Sequence, residues 1–239
     1  MPRIVARLRR AVRNLGWANG CVSVLADLVS RLSRGSCRIV RYRLLVQPIE
    51  PASQLAGRRG RDLCIREAGP GDPVLVQMGR PQSTIRERFE QGARCLVALR
   101  DGELVAFIWW IEGPYREDEV RCLFIPQPAG AALWDFDIYV APTHRLGPAF
   151  ARLWDAAMKQ MHESGFEHSC SRISAFNISS LQAHKRLGAR VVGTRSFLCI
   201  GLLQVTLSRD APRLHVSWRT ESRPIVRVPP DGTNERRKG

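Results

Sequence analysis

The clearest chemical signal in this 239-residue chain is a run of six residues, His144-Arg145-Leu146-Gly147-Pro148-Ala149. It lies between a strand-like stretch and a helical one. The first N–H groups of a helix have no intrahelical partner and point out of its end. Together with the helix dipole they make an anion site suited to a pyrophosphate. Gly147 lets a ligand come close to the backbone, and Ala149 keeps the first turn slim. Pro148 fits the first helical position but removes one donor. An ordinary strand-to-helix turn reads the same from these residues alone. Just upstream stand Asp135 and Asp137. Two apart on a strand, they project from one face. Such a pair can take up and hand on protons. Another acid, Glu119, ends the cluster Glu117-Asp118-Glu119.

The elements that must position these residues follow from periodicity. Along Leu133–Val140 the residues alternate: Trp134, Phe136, Ile138 and Val140 on one face, Leu133, Asp135, Asp137 and Tyr139 on the other. That predicts a strand with one face in a core and the carboxylate face outside it. Pro142 ends it, having no N–H to give. Ala149, Phe150, Leu153, Trp154, Ala157, Met158 and Met161 then form one helical stripe. Upstream, Arg38–Val46 and Leu63–Glu67 read as strands, and Thr84 with Glu87 as a capping box. Arg94–Arg100 and Glu103–Ile111 flank Asp101-Gly102, the strongest short hairpin signal. Val120–Ile125, Ser169–Ala175, Val191–Val192, Phe197–Ile200 and Leu203–Leu207 are further predicted strands. Ser179 with Gln182 predicts a second capping box, opening a short helix that ends at Leu187-Gly188.

Composition narrows the class. The net charge is +15, with thirty-four arginines but only three lysines. Residues 1–62 hold thirteen arginines against three acids, whereas residues 63–208 hold sixteen basic and fifteen acidic residues. The body is nearly neutral and has no basic stripe with interleaved aromatics, so nucleic acid is not the expected partner. Seven scattered cysteines without a CxxC pair predict free thiols in a reducing cytoplasm. The histidines show no metal-ligand spacing, and no metal is expected.

Residues 1–36 are predicted as a basic helical extension broken at Gly16. Ile4, Val5, Leu8, Val12 and Leu15 form one side of the first helix, with arginines around the rest. Asn19 caps the second helix and Gly35 ends it. Two readings stand: a helical hairpin packed on the main domain, or contact with an anionic membrane surface. No apolar run is long enough to cross a bilayer, and no cleaved signal peptide is expected. The expected layout is therefore an extension (1–36), a main domain (37–208) and a basic, disordered tail (209–239).

Three features in order resemble the GNAT superfamily of acyl-CoA-dependent N-acyltransferases. They are the hairpin feeding a strand that ends in Val140-Ala141-Pro142, the loop His144–Ala149, and Asn177-Ile178-Ser179-Ser180-Leu181-Gln182-Ala183-His184-Lys185-Arg186-Leu187-Gly188-Ala189. The loop is similar to the family's R/Q-x-x-G-x-G/A pyrophosphate motif, with His144 in the slot of the Arg or Gln. In the third segment His184 stands where the family often has a tyrosine general acid.

The resemblance implies an α+β fold, a mixed and mostly antiparallel sheet flanked by helices. It implies that acetyl-CoA or another acyl-CoA donates the acyl group directly to an amine acceptor. Pantetheine would pair with the backbone near Tyr139 and Val140. The pyrophosphate would rest on Arg145, Leu146, Gly147, Pro148 and Ala149, with Asn177 and Ser180 bordering the thioester. Asp135, Asp137 or Glu119 would serve as base, and His184 would protonate the leaving thiolate. The alternative is a non-catalytic acyl-CoA-binding or scaffold protein of the same fold. The acceptor is not legible in the loops 48–62, 69–83 and 112–130.

Overall fold

The computed structural model of the protein describes residues 2–50, 60–210 and 212–231; of the first helix, the side chains of residues 2–8, 10, 11 and 14 fall outside that description. Most of the loop 48–62 therefore lies outside it too. Helix α1 (Pro2–Leu32) kinks at Gly16, whose φ of 75° and ψ of 164° only a residue without Cβ adopts readily. The helix then continues through Asn19, so the cap predicted there does not form. Gly35 closes the end as expected, its N–H reaching Ser30 O at 2.7 Å. After β1 (Cys37–Pro48) come β2 (Cys64–Ala68), a 3-10 turn (Pro73–Met78), α2 (Gln82–Glu90), β3 (Arg94–Arg100) and β4 (Glu103–Ile111). Next are β5 (Tyr115–Arg116), β6 (Leu123–Pro126), β7 (Ala132–Val140), a 3-10 turn (Pro142–His144), α3 (Ala149–Glu163) and β8 (His168–Ser174). The chain continues through α4 (Ile178–Arg186), β9 (Arg190–Ile200), β10 (Leu203–Ser208), β11 (Leu214–Ser217) and β12 (Ile225–Val228).

The chain divides into two compact units. One comprises residues 47–118 and 124–171. Its strands run in the order β8-β7-β4-β3-β2. β7 and β8 are parallel and the other neighbours antiparallel. The β3–β4 hairpin turns at Asp101 and Gly102, both at positive φ, as the Asp-Gly signal predicts. Helix α3 lies against β3 and β4. It buries Ala149, Leu153, Trp154, Ala157, Met158 and Met161, most of the predicted stripe. Trp109, Trp110, Tyr115 and Trp134 are core residues.

The other unit comprises residues 1–46, 119–123 and 172–239. Its order is β11-β10-β9-β1, antiparallel throughout. Here the tail departs from expectation: residues predicted to be disordered form β11 and β12. Gln204–Leu207 pairs with Ser217–Leu214. β9 is also one strand where two were predicted.

Both capping boxes are corrected. α2 starts at Gln82 behind Pro81, with no side-chain cap, and Thr84 lies inside it. α4 is capped by Asn177, whose Oδ1 accepts from Ser180 N–H at 3.1 Å and from Ser179 Oγ at 2.9 Å. An Asn at the cap position competes well with a Ser two residues later. The whole is a mixed, mostly antiparallel sheet flanked by helices, with α1 ahead of it.

Candidate functional site

Strand β7 has two halves. Ala132–Asp135 pairs with β8 on one side, and Trp134 and Asp135 pair with β4 on the other. Pairing with β8 ends at Asp135, while pairing with β4 runs on to Val140. The outer half contains a bulge. Phe107 pairs with Tyr139 and Trp109 with Phe136, so two steps on β4 face three on β7. Asp137 absorbs the extra step at φ 46°. A bulge with one residue in the left-handed region bends the strand and interrupts its ladder.

Below the strand, Pro142–His144 makes one 3-10 turn, and Gly147 N–H bonds His144 O at 3.0 Å. A Cβ built on Gly147 would come within 3.3 Å of that same carbonyl oxygen, so the turn is tight where Gly stands. α3 then begins with no side-chain cap, and Arg152 N–H closes onto Pro148 O at 2.9 Å. The N–H groups of Ala149–Ala151 thus belong to the open first turn, where a negative charge is favoured. Leu146 is fully exposed at the loop tip. Arg145 is exposed too, its Nε donating to Val140 O at 3.2 Å. Arg100 brings a further guanidinium to the loop, 3.4 Å from His144 Nδ1. An open strand edge, a tight glycine turn and an uncapped helix start could hold an extended thiol arm joined to a diphosphate.

The two strand carboxylates do not share a face. Asp135 pairs with Trp110, is only 2% exposed, and accepts a 2.6 Å hydrogen bond from Ser169 Oγ. Asp137 lies on the other side, among partners that stack on Phe107, Trp109 and Phe136. Arg80 grips it with Nε at 2.8 Å and Nη2 at 2.6 Å, and its guanidinium lies 5.5 Å from the Phe107 ring centre. Arg88 donates to it at 2.6 Å and lies 5.4 and 5.2 Å from the rings of Trp109 and Phe136. Burial alone would raise the Asp137 pKa; the two guanidiniums outweigh it and hold the carboxylate below its usual range. The bulge inverts the alternation, which is why the sequence spacing misplaced the pair. The inner half of β7 is also buried on both faces, not one. It tolerates Asp135 there because Ser169 bonds it.

Glu119 belongs to the second unit. Its Oε2 accepts from the hydroxyl of buried Tyr42 and lies 4.0 Å from Arg172 Nη2, yet its side chain remains 43% exposed. Arg172 stacks on the Tyr42 ring at 4.6 Å. His184 is corrected. On α4 it is 3% exposed, and burial pushes its pKa down to about 4. At neutral pH it carries no acidic imidazolium proton to give. Asn177 is the cap of that helix and Ser180 is half-buried beside it. Burial also pushes the Cys170 thiol up to about 12 and raises that of Cys95. Neither is a thiolate at neutral pH. Among the described residues no group of His, Cys, Asp and Glu gathers as metal ligands do. The sequence reading missed Arg80, Arg88, Ser169 and Tyr42; each meets its acid across at least 34 residues of chain, which leaves no local spacing to find.

The acetyltransferase (GNAT) family model matches residues 67–189, just over half the chain, from the end of β2 to the turn after α4. No curated protein matches the sequence. Among solved structures the chain is similar to a functionally unknown conserved protein from Staphylococcus epidermidis, at 11% identity and a TM-score of 0.49, over 72% of this chain and 66% of that one. It is also similar to a putative acetyltransferase of the GNAT family from Novosphingobium aromaticivorans, at 17% identity and a TM-score of 0.47, over 66% and 63%. An aminoglycoside acetyltransferase from an uncultured soil metagenomic sample aligns at 13% identity and a TM-score of 0.41, over 54% and 88%. The chain spans a little under two thirds of the length of the first two. The family match rests on the segment that holds the bulged strand, the glycine turn and the uncapped helix: this chain belongs to the GNAT acetyltransferase family.

Proposed function

We propose that the protein is an N-acyltransferase that moves an acyl group from acetyl-CoA or another acyl-CoA directly to an amine. The observation that carries this is the strand–turn–helix run Ala132–Glu163. Its strand stops pairing with β8 at Asp135, and its helix opens without a side-chain cap. The backbone of Tyr139 and Val140 would hold the pantetheine. Arg145, Leu146, Gly147, Pro148 and Ala149 would hold the pyrophosphate. Asn177 and Ser180 are carried over from the family motif as neighbours of the thioester.

When bound, acyl-CoA supplies an acyl group activated as a thioester. The chain has to position it, take a proton from the acceptor ammonium, and exclude competing nucleophiles. Of the acids considered, Glu119 has the exposed carboxylate, and Tyr42 fixes its orientation; we assign it the base. No side chain is needed for the leaving thiolate, since a thiol pKa of about 8.5 lets water protonate it. The raised cysteine pKa values favour direct transfer over a covalent relay through Cys95 or Cys170.

Release of free thiol from acetyl-CoA across a panel of amines tests the reading. Glu119→Gln is expected to lower kcat by about 10²-fold with KM for acyl-CoA little changed. One observation favours the rival reading of a non-catalytic acyl-CoA-binding protein: Asp135, Asp137 and His184 are all engaged or buried. Acyl-CoA binding without turnover on any amine would establish it.

For residues 1–36 both readings remain, a helical hairpin packed on the main domain or contact with an anionic membrane; exposed Trp17, Leu25, Leu28 and Leu32 fit the second. Among the described residues no helix is long and apolar enough to cross one. Flotation with anionic vesicles at low and high salt checks the contact, and its absence at low salt would remove it.

A further inference from the structure

Asp137 is an unusual residue to find at a bulge. Its φ of 46° is a conformation that costs most side chains energy and that Asp and Asn tolerate better than others. Such a conformation persists only where its surroundings over-determine it. Here they do. Arg80 engages both carboxylate oxygens, and Arg88 adds a third contact at 2.6 Å. Arg88 is itself anchored by Asp118, through Nε at 3.1 Å. The two guanidiniums lie over Phe107, Trp109 and Phe136, the rings that flank the bulge on both strands. Side-chain exposures of 5% for Arg88 and 14% for Asp137 bury the heart of this network on an aromatic bed, with Arg80 at 33% on its rim. Charge-assisted, bidentate contacts of this kind are both strong and directional.

We infer that Asp137 is a positioning residue: clamped by Arg80 and Arg88, it holds the left-handed step in β7 and thereby fixes the backbone edge of Ile138–Val140 that receives the acyl donor. The inference rests on the reading that this edge binds acyl-CoA. It gives the acid a role other than proton transfer. A doubly ion-paired carboxylate is a poor base, but it is a good pin. The clamp acts through backbone geometry, so its loss falls on donor affinity and leaves the chemical step nearly intact.

The test uses the full chain and four variants. Asp137→Asn keeps the tolerance for positive φ and one acceptor oxygen, but it loses the charge and turns an NH2 group toward a guanidinium. Asp137→Gly keeps the backbone freedom but releases the arginines. Asp137→Leu loses both, and Arg80→Met removes one arm of the clamp from a partly exposed position. Calorimetry with acetyl-CoA is expected to show the smallest loss of affinity for Asn. Losses of about tenfold or more are expected for Leu, with Gly and Arg80→Met in between. In ligand-free protein, amide exchange at Ile138–Val140 is expected to speed up in the same order. At saturating acetyl-CoA the pH–rate profile of Asp137→Asn is expected to keep its acidic limb, as it would not for a lost base. Arg80→Met added to Asp137→Leu is expected to cost almost nothing further. Unchanged affinity and exchange in Asp137→Leu would overturn the inference. So would a large loss of kcat in Asp137→Asn with its acidic limb abolished, which would make the residue a base. If wild type binds no acetyl-CoA, the donor-site reading fails. The ligand-free exchange arm then shows separately whether the clamp holds the bulge.

Discussion

Two helix starts in this protein have opposite designs. α4 is closed: Asn177 Oδ1 takes the Ser180 N–H, so its first turn is served from within the chain. α3 is open: Pro148 stands before it, no side chain among the described residues caps it, and the turn ahead of it is a glycine turn with an exposed tip. A helix end without a partner is costly unless water or a ligand serves it. The closed helix buys stability and carries a buried histidine inward. The open one keeps its donors for an anion. In sequence both are a polar stretch followed by an apolar stripe, and only the cap tells them apart.

The largest effect is expected from closing the open start with charge. Gly147 is exposed, so Gly147→Glu leaves the core alone while placing a carboxylate near the diphosphate, and Gly147→Gln controls for the Cβ that meets His144 O. Two like charges about 4 Å apart near a protein surface repel by about 4 kcal/mol, so a loss of affinity of at least about 100-fold follows. Calorimetry with acetyl-CoA reads it, with the melting temperature as a control for folding.

Next comes the buried histidine of the closed helix. His184 titrates near 4 when folded, against an ordinary value of 6.5. The unfolded chain therefore binds the extra proton first. Stability from this group is fully present above about pH 6.5 and is lost as pH falls toward about 4. The full loss is about 3 kcal/mol, and roughly half of it is gone by about pH 5. Urea denaturation at pH 7 and pH 5 measures this, and His184→Leu is expected to flatten the difference. His184→Phe is expected to leave the pH dependence of kcat near neutrality unmoved, since no imidazolium is there to titrate.

Removing the cap itself is a smaller change. Asn177→Ala is expected to cost about 1 kcal/mol of stability and, at the thioester end alone, to weaken acyl-CoA binding far less than Gly147→Glu does. A fall in affinity as large as that of Gly147→Glu would remove the contrast between the two helix starts. Smallest is Arg145→Ala on the open loop. It is an exposed charge, worth about 0.5–1 kcal/mol to a bound anion at low salt, and its effect should fade as ionic strength rises. Titration at two salt concentrations checks it.

Much of this was legible from residue order. The α3 stripe shows because six of its seven apolar positions are buried on one face, and the Asp-Gly hairpin shows because both turn residues take positive φ. The glycine turn was legible for a similar reason: one small residue there leaves room that no other would. The bulge was hidden. Period-two reading assumes every residue takes one step, and Asp137 takes an extra one without a glycine to announce it. That single step separated two acids that the spacing had placed together. The arginine clamp was hidden because its partners lie 49 and 57 residues away. In the tail, β11 and β12 are four residues each and sit among arginines and prolines. Such strands depend on neighbours rather than on their own pattern. The burial of His184 was missed because a helix of nine residues gives too little periodicity to fix which face points inward.

Hydrogen exchange of the full chain with and without acetyl-CoA tests the central claim most directly. The account predicts the strongest protection in peptides covering Ile138–Val140 and Gly147–Ala151, the open strand edge and the open helix start. It predicts a smaller change at the first turn of α4, which borders only the thioester end and which the chain already closes itself. Saturating acetyl-CoA that leaves residues 138–151 unprotected, or protects only α4, would contradict it.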